Sequence, residues 1–266
     1  MRFFTAAFLL AWTWWLAVVA AEVGWLPIPQ ASFPLLIELG LFSPALVALA
    51  LSAREGGFAG CAALLRQFGR WRAAPIFWVS ALLAPALIRS VAIGAWVGLG
   101  GEFPDLSDAA RWLSVVTSLP AVLLLGGPLA EEPGWRGYAL PRLQARFGAL
   151  HASLLIGALT ALWHAPLFLI AVMPQSHLPF AVFFVRTVAL AVISTWLYNG
   201  SRGSLLVVLL FHTAINSWPN ALSIVTSNGA LVPYLLTSTA YCALGAGLLI
   251  MKQVPPRSAA AEPLAA

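Results

Sequence analysis

The chain has 266 residues, of which 61% are hydrophobic and 9% charged, whereas a soluble domain carries about 25% charged residues. That composition excludes a water-soluble globule, and apolar stretches of roughly 20 residues, each able to cross about 30 Å of hydrocarbon as a helix, recur along the chain. The net charge of +5 fits basic loops beside a membrane without any nucleic-acid partner. Cys61 and Cys242 are the two cysteines, far apart and outside any C-x-x-C pair, so neither a disulfide framework nor a thiolate zinc site is supported.

Taken in order, apolar runs broken by charge, Gly and Pro predict spans over 3–23, 31–52, 75–99, 112–130, 150–172, 178–198, 204–222 and 231–251, eight in all. The first resembles a signal peptide, with Arg2, an apolar run and the small residues Ala17, Ala20 and Ala21. Its length and its Trp12, Trp14 and Trp15 favour a span kept in the bilayer. Between spans, Phe58, Cys61, Leu64, Leu65 and Phe68 fall at helical spacing beside Arg66, Arg70 and Arg72, and Leu140, Leu143 and Phe147 fall likewise beside Arg142 and Arg146. Both segments suit helices lying on an anionic lipid surface, or plain basic loops.

Placing the N-terminus in the cytoplasm puts Arg2, Arg54, Arg66, Arg70, Arg72, Arg136, Arg142, Arg146, Arg202, Lys252 and Arg257 on that side, 11 of the 14 basic residues. Arg111, beside Glu102, Asp105 and Asp108, stands alone on the other side, and Arg89 and Arg186 lie within spans. The asymmetry predicts a multi-pass protein of the cell membrane with both termini cytoplasmic. One polytopic domain is expected over 1–252, with a disordered cytoplasmic tail over 253–266.

Ionisable residues inside a bilayer are expensive and mark function by default. Glu131 and Glu132 close the fourth span, His164 lies in the fifth, and His212 and Asn216 lie in the seventh. Adjacent carboxylates repel, and Arg136, four residues after Glu132, sits where side chains meet on a helix face. Arg136 is thus expected to hold Glu132 ionised and leave Glu131 as a base, or else to form an ordinary salt bridge at a helix end. His212 and Asn216 are also four apart and share a helix face. A neutral histidine and an amide there can aim two N–H groups at one oxyanion, or bind a neighbouring helix. Two carboxylates, two histidines and an amide on three helices suit hydrolysis by an activated water. Depth adds a condition at about 1.5 Å per residue. The fourth helix must continue through Glu131 towards Tyr138, and the fifth must enter the bilayer nearer Leu155, around a polar cavity open to the cytoplasm.

Glu131-Glu132-Pro133-Gly134-Trp135-Arg136 resembles the E-E-x-x-x-R motif of the CAAX prenyl endopeptidase and bacteriocin-processing family, also called CPBP or Abi. The histidine of Leu162-Trp163-His164-Ala165-Pro166 resembles its F-x-x-x-H motif, with Thr160 where an aromatic is expected, and His212-Thr213-Ala214-Ile215-Asn216 resembles its H-x-x-x-N. The resemblance implies an all-α integral membrane protein, here a bundle of about eight helices, acting as an intramembrane endopeptidase on a peptide or membrane-protein substrate. It implies that Glu131 and His164 activate water, that His212 and Asn216 form the oxyanion hole, and that Glu132 and Arg136 support them, with no cofactor. Two alternatives stay open. One is a zinc-dependent form with Glu131, His164 and His212 as ligands; the other is a non-enzymatic immunity factor or scaffold, or a transporter using Glu38, Arg89 and Arg186.

Overall fold

A computed structural model describes residues 2–223 and 231–251. Helices make up the fold, and there is no strand among the described residues. Helix α1 (Arg2–Glu22) buries Phe3, Ala7, Ala11, Trp15 and Val18, a stripe at three- and four-residue spacing that faces the protein while the rest of the apolar surface faces outward. Its Trp15 lies 4.6 Å from Trp163, ring to ring, and Trp12 donates from Nε1 to the Trp163 carbonyl at 3.0 Å. The apolar N-terminal segment is therefore packed against the helix that carries His164.

The remaining elements are α2 (Phe33–Leu41), α3 (Ser43–Leu65), α4 (Pro75–Gly98), α5 (Ala109–Leu125), α6 (Pro128–Glu132), a π-helical segment (Pro133–Ala139), α7 (Leu140–Trp163), α8 (Phe180–Gly200), α9 (Leu205–Ser217) and α10 (Leu231–Ile250). Helix α7 lies along α8, α8 along α10, and α4 against both α9 and α10, while the π segment packs on α3. Among the described residues six helical stretches are long and apolar enough to cross a membrane, which makes this a multi-pass membrane protein.

Eight spans were expected, and the differences have local causes. The expected 31–52 span is interrupted at Phe42, where Pro44 follows closely and the chain resets between α2 and α3. At 9 residues α2 is too short to cross. Expected span 112–130 and all but the last three residues of 150–172 fall within one nearly continuous helical run, Ala109–Leu169. Helix α9, with 13 residues, is about 20 Å long and falls short of a 30 Å core.

The two expected surface helices are parts of longer elements. The one over 58–68 is the second half of α3, turned at Gly56 and Gly57, the latter at φ 56°. The one over 138–147 spans the end of the π segment and the start of α7, with Leu140 fully buried and Phe147 exposed. Cys61 and Cys242 are free and half-buried. The expected tail over 253–266 lies outside the described residues.

Candidate active site

The Glu131-Glu132 pair sits on α6, one turn long, between two breaks. Before it, Gly127 has φ +100°; after it, Pro133 lacks the N–H that would continue the α-helical ladder, and the helix widens into the π segment. Such widenings are frequent at functional sites because they redirect side chains without ending the helix. Every residue from Ala130 to Leu140 is buried. Gly134 permits this: a Cβ there would lie 2.5 Å from the carbonyl oxygen of Pro44 at the start of α3.

Within the run, four-residue spacing does what a helix requires. Trp135 donates from Nε1 to Glu131 Oε2 at 3.3 Å, and Arg136 Nη1 donates to Glu132 Oε1 at 3.2 Å. Glu132 and Arg136 are 2% and 7% exposed at the side chain, so this is a buried ion pair. Glu132 has a second partner, His212 of α9, whose Nδ1 lies 2.8 Å from the same Oε1. The oxygen is shared between a guanidinium and an imidazole, while Glu132 Oε2 and Arg136 Nε are buried with no hydrogen-bond partner.

His164 caps α7. Its Nδ1 lies 2.8 Å from the carbonyl oxygen of Thr160, an acceptor only, so Nδ1 carries the proton and Nε2 presents a lone pair in the neutral ring. That Nε2 lies 3.9 Å from Glu131 Oε1, beyond a direct hydrogen bond. Trp163 and Phe183 meet the ring edge to face, at 4.7 Å and 5.3 Å, and fix its plane. Thr160, where the motif has an aromatic, contributes its backbone carbonyl, which any residue supplies.

On α9, Asn216 lies one turn beyond His212, is exposed, and donates from Nδ2 to the carbonyl of Gly126 at 3.1 Å. A Cβ on the neighbouring Gly127 would lie 2.9 Å from Glu131 Oε1 and 3.9 Å from His212 Cε1. That corner brings Glu131 and His212 of α9 together, and it leaves room only for glycine. Of the six residues singled out from the sequence, Glu131 thus faces His164 and Glu132 meets both Arg136 and His212, while Asn216 bonds to the carbonyl of Gly126 beside this corner. The helix continues from α6 through the π segment into α7, as expected, and α7 turns at Gly148 (φ 76°), ahead of Leu155.

One expectation changes. A neutral His212 was to give its single N–H to an oxyanion, but with Glu132 ionised that proton is engaged at Nδ1. Gly127, Trp135 and the Thr160 carbonyl were not singled out from the sequence; Gly126-Gly127-Pro128, two residues before the carboxylates, was the available signal for the first. For the zinc alternative, no group of three His, Cys, Asp or Glu residues is arranged to hold a metal among the described residues: His212 turns one nitrogen to Glu132, outside the proposed ligand set.

Fold and site define a multi-pass helical membrane protein with two buried carboxylates beside partly buried histidines and an exposed amide. Residues 110–218 match the family described as type II CAAX prenyl endopeptidase, Rce1-like. The chain is 32% identical over 142 residues to "CAAX prenyl protease 2" of Methanococcus maripaludis, covering 51% of this chain and 52% of that protein, so it spans about half the length of that curated relative. The matched stretch, 110–218, contains all three motifs, and in it the chain is similar to the Rce1-like CAAX endopeptidases.

Proposed function

We propose that this chain is an intramembrane endopeptidase in which Glu131 activates a water for attack on a peptide carbonyl, at a site opening to the cytoplasm. The family match over 110–218 and the likeness to a curated prenyl protease support a protease. The observation that carries the mechanism is the 3.9 Å separation of Glu131 Oε1 and His164 Nε2. Two hydrogen bonds of about 2.8 Å meeting at roughly 90° span it, so one water can donate to both acceptors. Trp135 and the Thr160 carbonyl hold the two groups from behind.

The water gives one proton to Glu131 as its oxygen bonds to the carbonyl carbon, while His164 orients the other O–H. Charge develops on the carbonyl oxygen. Asn216 has a second N–H beyond the one given to Gly126, and His212 donates from Nε2 when doubly protonated, its charge balanced by Glu132 through Nδ1. As the C–N bond breaks, Glu131 returns its proton to the departing amine nitrogen. No metal takes part in this scheme, and Arg136 with Glu132 positions His212.

The relative's description as a prenyl protease makes a peptide ending in a prenylated Cys-aliphatic-aliphatic-X sequence the first substrate to assay, with its unprenylated counterpart beside it. For purified full-length protein in detergent, Glu131→Gln keeps the shape and removes the base, so cleavage of the quenched peptide falls by about 10² to 10⁴ with the unfolding temperature preserved. Normal cleavage by folded Glu131→Gln overturns the mechanism. Activity lost to a chelator and restored by zinc would replace it with the metal-dependent form.

A further inference from the structure

Two arginines outside the site lie in apolar helices, Arg89 in α4 and Arg186 in α8. Such residues are costly at membrane depth unless something meets their charge. Neither has a carboxylate within 4.0 Å among the described residues. Arg89 Nε donates to the Leu222 carbonyl at 2.6 Å, and the Arg186 guanidinium sits 5.4 Å from the ring centres of both Tyr234 and Tyr241 on α10. The two cations are close enough to repel one another, with Tyr241 beside both.

Tyr234, Ser238 and Tyr241 follow at four- and three-residue spacing and so form one face of α10. Arg186 Nε, the Tyr234 hydroxyl and the Ser238 hydroxyl are all buried and lack a hydrogen-bond partner. Each can donate a hydrogen bond, and the guanidinium can do nothing else. A cluster of donors around two cations selects a ligand that offers several acceptor oxygens and negative charge, which is the chemistry of a phosphate.

Beside it, between α8 and α10, runs a groove of about 440 Å³ lined by Val182, Val185, Leu235 and Ser238 among others. Ser238 belongs to both, so the polar cluster opens onto an apolar trough. Arg186 lies six residues into α8, about 9 Å from its start, and Tyr234 three residues into α10. The cluster therefore lies within reach of one set of helix ends, as a lipid headgroup requires. A free anion would have no use for the trough; a hydrocarbon chain would.

We propose that Arg89, Arg186, Tyr234 and Ser238 bind the phosphate of an anionic membrane phospholipid whose acyl chain lies in the α8–α10 groove. The test titrates the purified full chain, in neutral detergent, with dioleoyl phosphatidylglycerol, dioleoyl phosphatidylcholine or inorganic phosphate, reading bound lipid by native mass spectrometry and stability by thermal unfolding. Phosphatidylglycerol binds one site at least about tenfold more tightly than phosphatidylcholine, because only the former carries net negative charge to two guanidiniums. Arg89→Gln and Arg186→Gln each weaken it by about tenfold or more, whereas Arg111→Gln, at an exposed pair with Asp108, leaves it unchanged.

Val185 is 56% exposed, and Val185→Trp fills the groove while keeping both arginines; it too lowers phosphatidylglycerol binding. Should the arginine variants fail to fold, this variant decides the matter. Equal binding of the two lipids, or parent-like binding by folded arginine variants and by Val185→Trp, overturns the proposal. Inorganic phosphate competing as effectively as the lipid at equal concentration makes this a free-anion site and overturns the lipid assignment.

Discussion

Removing the guanidinium of Arg136 tests how the site keeps a charge where water is scarce. Glu132 is 2% exposed and Arg136 7%, with Nη1 and Oε1 3.2 Å apart, so neither charge has solvent to fall back on. Breaking a buried ion pair by deleting one partner costs about 3–5 kcal/mol, mostly because the other charge is stranded. For a chain of this size each kcal/mol moves the unfolding temperature by about 2–4 °C, so Arg136→Ala should lower it by about 6–20 °C. Arg136→Lys keeps the charge but not the fork and loses less; Arg136→Glu loses most. Glu132→Gln combined with Arg136→Met removes both charges and regains part of the stability lost by Arg136→Ala. The assay is tryptophan-fluorescence unfolding in detergent beside peptide cleavage, and activity follows the same order because His212 is positioned through Glu132. An unfolding temperature for Arg136→Ala within about 2 °C of the parent refutes the buried-pair account.

Three further outcomes follow from the geometry. Gly127→Ala places a methyl group 2.9 Å from Glu131 Oε1 at φ +100°, so it displaces the carboxylate, lowers cleavage at least tenfold and destabilises by about 1 kcal/mol or more; a parent-like kcat would show that the corner has slack. Asn216→Ala removes one oxyanion donor and lowers kcat by about 10² to 10³ with KM little changed; a change confined to KM would assign Asn216 to ground-state binding. In a chain cleared of Cys61 and Cys242, cysteines introduced at Ser107 and Arg72 react with an impermeant reagent from opposite sides of the membrane, Ser107 from outside; labelling from one side would remove the positive-inside assignment and the cytoplasmic site with it.

Much of the site was legible because its contacts are local. Glu132 and Arg136 meet at 3.2 Å because four residues make one helical turn, and the same spacing puts His212 and Asn216 on one side of α9. The membrane setting was legible for a different reason: a chain with 9% charged residues has no means of covering itself for water. The order of the three motifs carried the family resemblance.

What the sequence did not determine lies at the breaks. Span counting assumes that apolar runs stay straight, and the structure departs from it where Phe42 divides one run and where α9 stops at 13 residues. At each break freed backbone groups can be satisfied in more than one way, and neighbouring helices choose among them. The same holds for the long-range contacts. That Glu131 faces His164 across 3.9 Å, and that Glu132 is shared between Arg136 and His212, depends on how α6 is set against the end of α7 and against α9. The residue types fixed which chemistry was available; only tertiary packing decided which nitrogen meets which oxygen, because a hydrogen bond is set by ångströms that no sequence spacing specifies across separate helices.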